Sequence, residues 1–383
     1  MKWVYASPNR AHHYPYARAL ADADLLHTFV SGFSRLSERA PLELANGRLR
    51  RVDFWQTAYV LSFQLPFFSC ARREALSVRS KRALDHTMCR ALQEADGAIF
   101  YAGTGNATGT RWKGRKPLVC EVVNSHWLHQ YELLADECAR LGLEPPPFHE
   151  AERDRRLRDY EQADYILGPS DFVLESFRQR GFDARRLLKV RYGAPAPVET
   201  EREAPDPDLP FRVLYVGQLN YRKGVRYLAE AFERLELPRK ELWLVGPSAP
   251  PTGCEGRAWP EGTRLLGVKK GAQLEALYAQ ADAFVQPSLE EGLSLVVGEA
   301  MAHGLPVVAS THSGAAELLE DGVSGFLFAP RDVERLTAHL QALAEDPARR
   351  LTMGRAASAQ MASVGGWDRA GRELVETLAS IAP

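Results

Sequence analysis

Residues Pro287–Ser310 read PSLEEGLSLVVGEAMAHGLPVVAS. Two glutamates, Glu291 and Glu299, stand eight positions apart, with Gly292 just after the first. The apolar residues that follow repeat at helical spacing, which predicts a helix carrying Glu299. The apolar run ending at Pro287 predicts a strand that delivers Glu291 into a loop. A helix N-terminus offers unpaired N–H groups and a partial positive charge, so it can hold phosphate. A carboxylate one or two turns along can accept hydrogen bonds from sugar hydroxyls. Strand, glycine loop, helix and two placed carboxylates therefore predict a nucleotide-sugar site.

Working outward, short apolar strands alternate with helical patterns along the chain, which predicts an α/β protein with parallel sheets. Strands are expected near Trp3–Ser7, Leu26–Ser31, Ala98–Ala102, Leu118–Val123, Tyr165–Pro169 and Leu188–Tyr192. The run Val198–Pro210, rich in proline and acids, reads as a linker. Strands resume at Phe211–Gly217, Leu242–Val245, Arg264–Leu266, Ala283–Pro287, Pro306–Ser310 and Phe326–Phe328. At 383 residues the chain suits two domains of about 190 each. Trp367–Ile381 reads as a closing helix.

Composition narrows the function. The chain is 45% hydrophobic and 25% charged, with a net charge of −1. That is a globular composition, and the global charge predicts no nucleic-acid partner. Five scattered cysteines contain no C-x-x-C pair, so reduced thiols and a cytoplasmic setting are expected. Neither a signal peptide nor an 18-residue apolar run is read.

The phosphate-gripping turn is expected at Val216–Gly224, VGQLNYRKG. It joins a strand to a helix, with Gly217 for close backbone approach and Arg222 and Lys223 for fixed charge.

Pro287, Ser288, Glu291, Gly292 and Glu299, the last opening the run Glu-Ala-Met-Ala before a Gly-x-Pro-Val-Val strand, resemble the retaining GT-B glycosyltransferases of the family 4 type, the glycosyl transferases group 1. The resemblance covers the second half well, and the first half more loosely from Glu121 to Gly193. It implies two Rossmann-like doubly wound domains facing across a cleft. Residues 1–195 would bind the acceptor, 196–210 link, 211–365 bind the donor, and 366–383 form a helix crossing back to the first domain.

By the same resemblance, Lys223 grips the donor diphosphate. Gln218 replaces the family's arginine, with Arg222 as its substitute. Glu299 takes the ribose hydroxyls and Glu291 the donor sugar. Leu293, Ser294 and Leu295 offer backbone N–H groups to phosphate, and the backbone around Val268 meets the base. His126, at the end of a polar cluster beginning at Glu121, is expected to touch the donor sugar. Residues Ser7–Tyr14 stand where a glycine-rich loop is usual, so Arg10, His12 or His13 would meet phosphate or acceptor. No metal or other cofactor is implied; the nucleoside-diphosphate sugar is the co-substrate.

The implied activity is retaining hexosyl transfer to the hydroxyl of a glycan, lipid-linked or small-molecule acceptor. A nucleotide-sugar epimerase or a non-catalytic sugar-nucleotide or partner-binding protein remains as an alternative. A glycosidase pair is disfavoured. Eight helical residues span roughly 12 Å, against the ~5–9.5 Å such carboxylates need. Finally, Arg48–Arg82 mixes many arginines with Phe54, Trp55, Tyr59, Phe63, Phe67 and Phe68. It would suit peripheral contact with an anionic membrane. A buried core strand and helix is the preferred reading, because Phe54–Phe68 lacks clean helical periodicity.

Overall fold

The computed structural model describes residues 1–9, 12–37, 47–63, 65, 68–198 and 208–381. The first sheet contains β1 (Trp3–Ser7), β2 (Leu26–Ser31), β3 (Leu49–Arg51), β4 (Gly97–Tyr101), β5 (Leu118–Glu121), β6 (Tyr165–Gly168) and β7 (Leu187–Lys189). All pairs are parallel, in the order β3-β2-β1-β4-β5-β6-β7. Such strands are buried on both faces, which is why they read as unbroken apolar runs rather than alternating ones. All five residues of β1 are buried.

The helices of this half are α1 (His13–Asp22), α2 (Phe54–Ser62), α3 (Cys70–Ala91), α4 (Asn106–Trp112), α5 (Trp127–Leu141), α6 (Glu150–Gln162) and α7 (Asp171–Arg178).

The second sheet holds β8 (Phe211–Val216), β9 (Lys240–Val245), β10 (Thr263–Gly267), β11 (Ala283–Gln286), β12 (Val307–Ser310) and β13 (Gly325–Phe328). It is also parallel, ordered β10-β9-β8-β11-β12-β13. Its helices are α8 (Val225–Glu233), α9 (Ala272–Gln280), α10 (Leu295–Ala302), α11 (Val333–Glu345), α12 (Pro347–Val364) and α13 (Trp367–Ser380). In each sheet the chain reverses its order beside the first strand, at β1/β4 and at β8/β11. That switch point opens a crevice at the carboxyl ends of the strands.

Helix α13 packs on α1 of the first half. Leu374 and Leu378 are buried there, in one core with Tyr16 and Leu20. The crossing is close: a Cβ on Gly371 would lie 2.4 Å from the Ala19 Cβ.

Two segments differ from the sequence expectation. Leu49–Arg51 forms edge strand β3, too short and too polar to carry a periodic signal. Phe54–Ser62 forms helix α2 rather than a buried strand; Phe54 and the flanking Phe63 are 74% and 58% exposed, and Trp55 and Tyr59 are half-buried. Phe67 lies outside the described residues.

Candidate functional site

The ends of β1, β5, β8 and β11 meet at a cavity of about 500 Å³ between the two sheets. On the second-domain side, Gly217 and Gln218 follow β8. Asn220 Oδ1 then accepts from Lys223 N at 3.0 Å and caps a tight turn at Tyr221–Lys223. Gly224 takes φ +68, and a Cβ there would lie 2.0 Å from the Pro287 carbonyl oxygen, so only glycine lets the two loops touch.

This contact delivers the Lys223 ammonium onto the Glu291 carboxylate. Burial lowers the lysine below its ordinary value, although Glu291 opposes the shift. Gln286 Nε2 and Ser288 Oγ each donate to Glu291 Oε2 at 3.3 Å. Leu293, Ser294, Leu295 and Val296, at the start of α10, complete this wall. As the first helical residues, Leu295 and Val296 have N–H groups with no acceptor inside the helix.

Several expectations need correction. The Ser294 N–H is already given to the Ser313 carbonyl at 3.1 Å, so it is not an open phosphate donor. Arg222 lines the cavity but is not a free cation. Its Nη1 donates to the Glu290 carbonyl at 3.0 Å and meets the Glu290 carboxylate at 3.4 Å. Gln218 brings no charge; its Oε1 accepts from Asn220 Nδ2 at 3.3 Å. Glu299 sits one helical turn beyond Val296 and faces a second depression of about 790 Å³ with Tyr278, His303, Pro195 and Val198. It accepts from Tyr278 Oη at 3.0 Å, and burial raises its carboxyl. Val268 follows β10, 56% exposed, outside both cavities.

The largest correction concerns His126. Its ring packs against Tyr160, Phe177 and Phe182 with centroids 5.0–6.1 Å away. Its Nδ1 accepts from Leu128 N at 3.3 Å, capping α5. Burial lowers it to about 4. The ring faces the core of the first domain and does not line the cavity. His12 and His13 stand there instead, with Asn9, Tyr101, Asn124 and Tyr192. Arg10 lies outside the described residues.

Glu121 anchors this opposite wall. His12 Nε2 approaches its Oε1 at 2.6 Å; Tyr5 Oη donates to Oε2 at 2.7 Å, and His13 Nδ1 lies 3.1 Å from Oε2. Burial by itself would raise the Glu121 carboxyl, but His13 and His12 hold it well below the usual carboxylate range. Burial and the neighbouring His13 lower His12 to about 4.

Sequence reasoning also missed Glu290, which is fully buried. It bridges the domains through Asn124, Ser125 and Gln130. Its only sequence signal is its place beside Glu291. Gly292 touches the first domain as well: a Cβ there would fall 1.7 Å from the Val123 carbonyl oxygen. Ser170 Oγ donates to the Gly292 carbonyl at 2.5 Å while capping α7.

Residues 210–346, which hold the cationic wall, match the family model of glycosyl transferases group 1. This chain is related to that family. Over 155 residues, 40% of the chain, it is 34% identical to a sulfoquinovosyl transferase of Arabidopsis thaliana. Over 233 residues, 55% of the chain, it is 30% identical to the O-antigen chain mannosyltransferase B of Escherichia coli. The chain spans 30% of the first relative's length and 61% of the second's.

Among solved structures, the sucrose-phosphate synthase of Thermosynechococcus elongatus matches over 100% of this chain and 99% of its own, with a TM-score of 0.68 at 19% identity. Anabaena HepE, solved with UDP and glucose, matches over the whole of both chains, with a TM-score of 0.66 at 18% identity. The group 1 domain and its partner thus form the GT-B architecture. No helix among the described residues is long and apolar enough to cross a membrane.

Proposed function

We propose that this chain is a retaining glycosyltransferase that moves a sugar from a nucleoside-diphosphate donor to an acceptor hydroxyl. Residues 211–365 hold the donor and residues 1–195 the acceptor, with 196–210 as linker and 366–383 returning to the first domain. One observation carries the reading. Lys223 and the open N–H groups of Leu295 and Val296 converge on a single interdomain cavity beside Glu291. A leaving diphosphate develops negative charge, and fixed donors in a desolvated cleft stabilise it. Glu291 stands where the sugar would lie. Glu299, on the same helix but lining the second depression beside Tyr278, is the proposed partner of the ribose. HepE, determined with UDP and glucose, supports a uridine donor as the first to try.

A specific observation adds a partner. Helix α2 and its C-terminal flank leave Phe54, Val60, Leu61 and Phe63 47–74% exposed. Arg73 and Arg79 lie over the rings of Phe63 and Trp55. Exposed apolar side chains ringed by cations suit the headgroup layer of an anionic membrane. On this reading the enzyme is cytoplasmic, peripheral at the membrane face, and suited to a lipid-linked acceptor. The fully buried reading of this segment is set aside because Phe54, Val60, Leu61 and Phe63 stand in solvent, while Trp55 and Tyr59 are half-buried.

The test incubates the purified chain with a panel of nucleoside-diphosphate sugars, with and without acceptors. Released nucleoside diphosphate that depends on acceptor is the expected result. An altered sugar with no nucleotide release would make it an epimerase, and no reaction with any donor would make it a binding protein.

A further inference from the structure

Helix α10 serves two cavities. Leu295 and Val296, in its first turn, line the interdomain cavity; Glu299, one turn on, lines the second depression beside Tyr278 and His303. The step from Leu295 to Glu299 is roughly 6 Å along the helix axis. A glutamate side chain on an open helix face turns about three bonds, so a partner is needed to aim it.

Among the described residues, one side chain hydrogen-bonds the Glu299 carboxylate, and it is a rigid one. Tyr278 Oη donates to Oε2 at 3.0 Å, while Oε1 receives no hydrogen bond. Tyr278 is 1% exposed and is the one buried residue of α9. Its ring stacks on the His303 imidazole, with centroids 4.9 Å and planes 25° apart, and meets Phe284 at 6.1 Å. His303 is tied to the end of α10 in turn, its Nδ1 lying 2.8 Å from the Glu299 carbonyl oxygen. Tyrosine, imidazole and the last turn of α10 therefore pack as one unit, which holds the hydroxyl against the carboxylate.

Packing alone does not call for that hydroxyl. A phenylalanine ring would fill the same place, and replacing both members of a polar pair by apolar groups of the same shape is often neutral or stabilising. Burial raises the Glu299 carboxyl, whereas the Tyr278 hydrogen bond and His303 favour its ionised form. The arrangement thus keeps a half-buried carboxylate with one oxygen fixed by a donor. Oε1 and the second lone pair of Oε2 remain to accept from two adjacent hydroxyls.

We propose that Tyr278 is a positioning residue of the donor site: its hydroxyl fixes Glu299 so that the carboxylate meets the ribose diol of a nucleoside diphosphate whose phosphates lie at the start of α10. This rests on the donor reading of Lys223 and Glu299, and it adds the group that makes the site select ribose over deoxyribose.

The test is calorimetry on the full chain with UDP, 2′-deoxy-UDP and 3′-deoxy-UDP; GDP or ADP and their deoxy counterparts replace these if they bind more tightly. At least one deoxy analogue should bind wild type about tenfold more weakly than the ribonucleotide, as for a lost hydrogen bond to a charged group. Tyr278→Phe, measured below its melting temperature, should weaken the ribonucleotide and leave that analogue nearly unchanged, so that the selectivity ratio falls about threefold or more. A general disturbance of the pocket would weaken both nucleotides alike and leave the ratio unmoved. Glu299→Gln should remove most of the ratio, and adding Tyr278→Phe to it should change the ratio no further, because the tyrosine acts through the glutamate. A ratio kept intact in Tyr278→Phe would overturn the inference and leave the donor reading standing. A wild-type protein that binds nucleoside diphosphates without preferring ribose would overturn it as well, and would remove Glu299 from the ribose. Binding of no nucleoside diphosphate at all would overturn the donor reading itself, and the inference with it.

Discussion

Glu290 of the second domain accepts a 2.6 Å hydrogen bond from Gln130 Nε2 of the first, with no part of its side chain reaching solvent. Ser125 adds two more donors, at 3.1 Å from its N–H and 2.9 Å from its Oγ, and Arg222 closes the set from its own domain. A buried carboxylate so held acts as a bolt between the domains. Glu290→Ala strands these partners, and breaking a buried pair from one side costs about 3–5 kcal/mol. Urea denaturation should show that loss, and small-angle scattering should show a larger radius of gyration. A variant with wild-type stability and scattering would place the bolt elsewhere.

Lys223 faces the other half of the same glutamate pair. Removing a charge-assisted contact costs about 1.5–3 kcal/mol. Lys223→Ala should therefore weaken nucleoside-diphosphate binding in calorimetry by about tenfold or more, and lower turnover at least as far. Glu291→Gln should reduce turnover while nucleotide affinity changes little. Unchanged nucleotide affinity in Lys223→Ala would remove the lysine from the donor site.

His126 should behave as a structural residue. Truncating a buried ring that also caps a helix costs stability by about 1–3 kcal/mol. His126→Ala should unfold earlier on heating yet keep turnover within a few-fold below its melting temperature. A stable variant with a hundredfold lower turnover would return His126 to the cleft.

Acid should destabilise the fold in a definite window. Unfolded histidine titrates near 6.5, whereas His12 and His126 are held down to about 4 in the folded chain. Between those values the unfolded state binds more protons, so stability falls as pH falls. The contribution is complete above about pH 6.5 and is lost on the way down to about 4. Each histidine can add a slope of up to about 1.4 kcal/mol per pH unit. Denaturant melts across this range should show the decline, and His126→Asn should flatten part of it. Burial raises the Asp159 carboxyl to about 7, which acts in the opposite sense over the same range. The histidine share is therefore read from the difference between wild type and His126→Asn, and identical profiles would contradict the buried neutral state of His126.

The membrane reading is tested by co-sedimentation with anionic and neutral vesicles at low and high salt. Binding to the anionic vesicles should fade with salt, since each surface cation adds about 1 kcal/mol at low ionic strength. Phe54→Ser with Phe63→Ser should weaken binding further, because a buried aromatic is worth about 1.5–3 kcal/mol. Equal sedimentation with both vesicle types would leave α2 as an ordinary solvent face.

The sequence by itself determined the doubly wound plan. Parallel strands covered on both faces must be apolar throughout, so β1, β2 and β11 announce themselves as short apolar runs between helical patterns. It also located the strand, glycine loop and helix that carry Glu291 and Glu299, because these follow one another along the chain. What it could not decide was direction. Glu290 and Glu291 are neighbours, yet one bolts the domains and the other meets Lys223, 68 positions away. His126 ends the expected motif but turns inward, while His12 and His13 reach the cavity because Glu121, more than a hundred positions later, draws them to the end of β5. Helix α2 was hidden for a related reason. Its apolar residues face outward as well as inward, so no clean stripe marks it. Local periodicity reports which face of an element is covered; the aim of a loop side chain is set by partners that only the folded chain brings together.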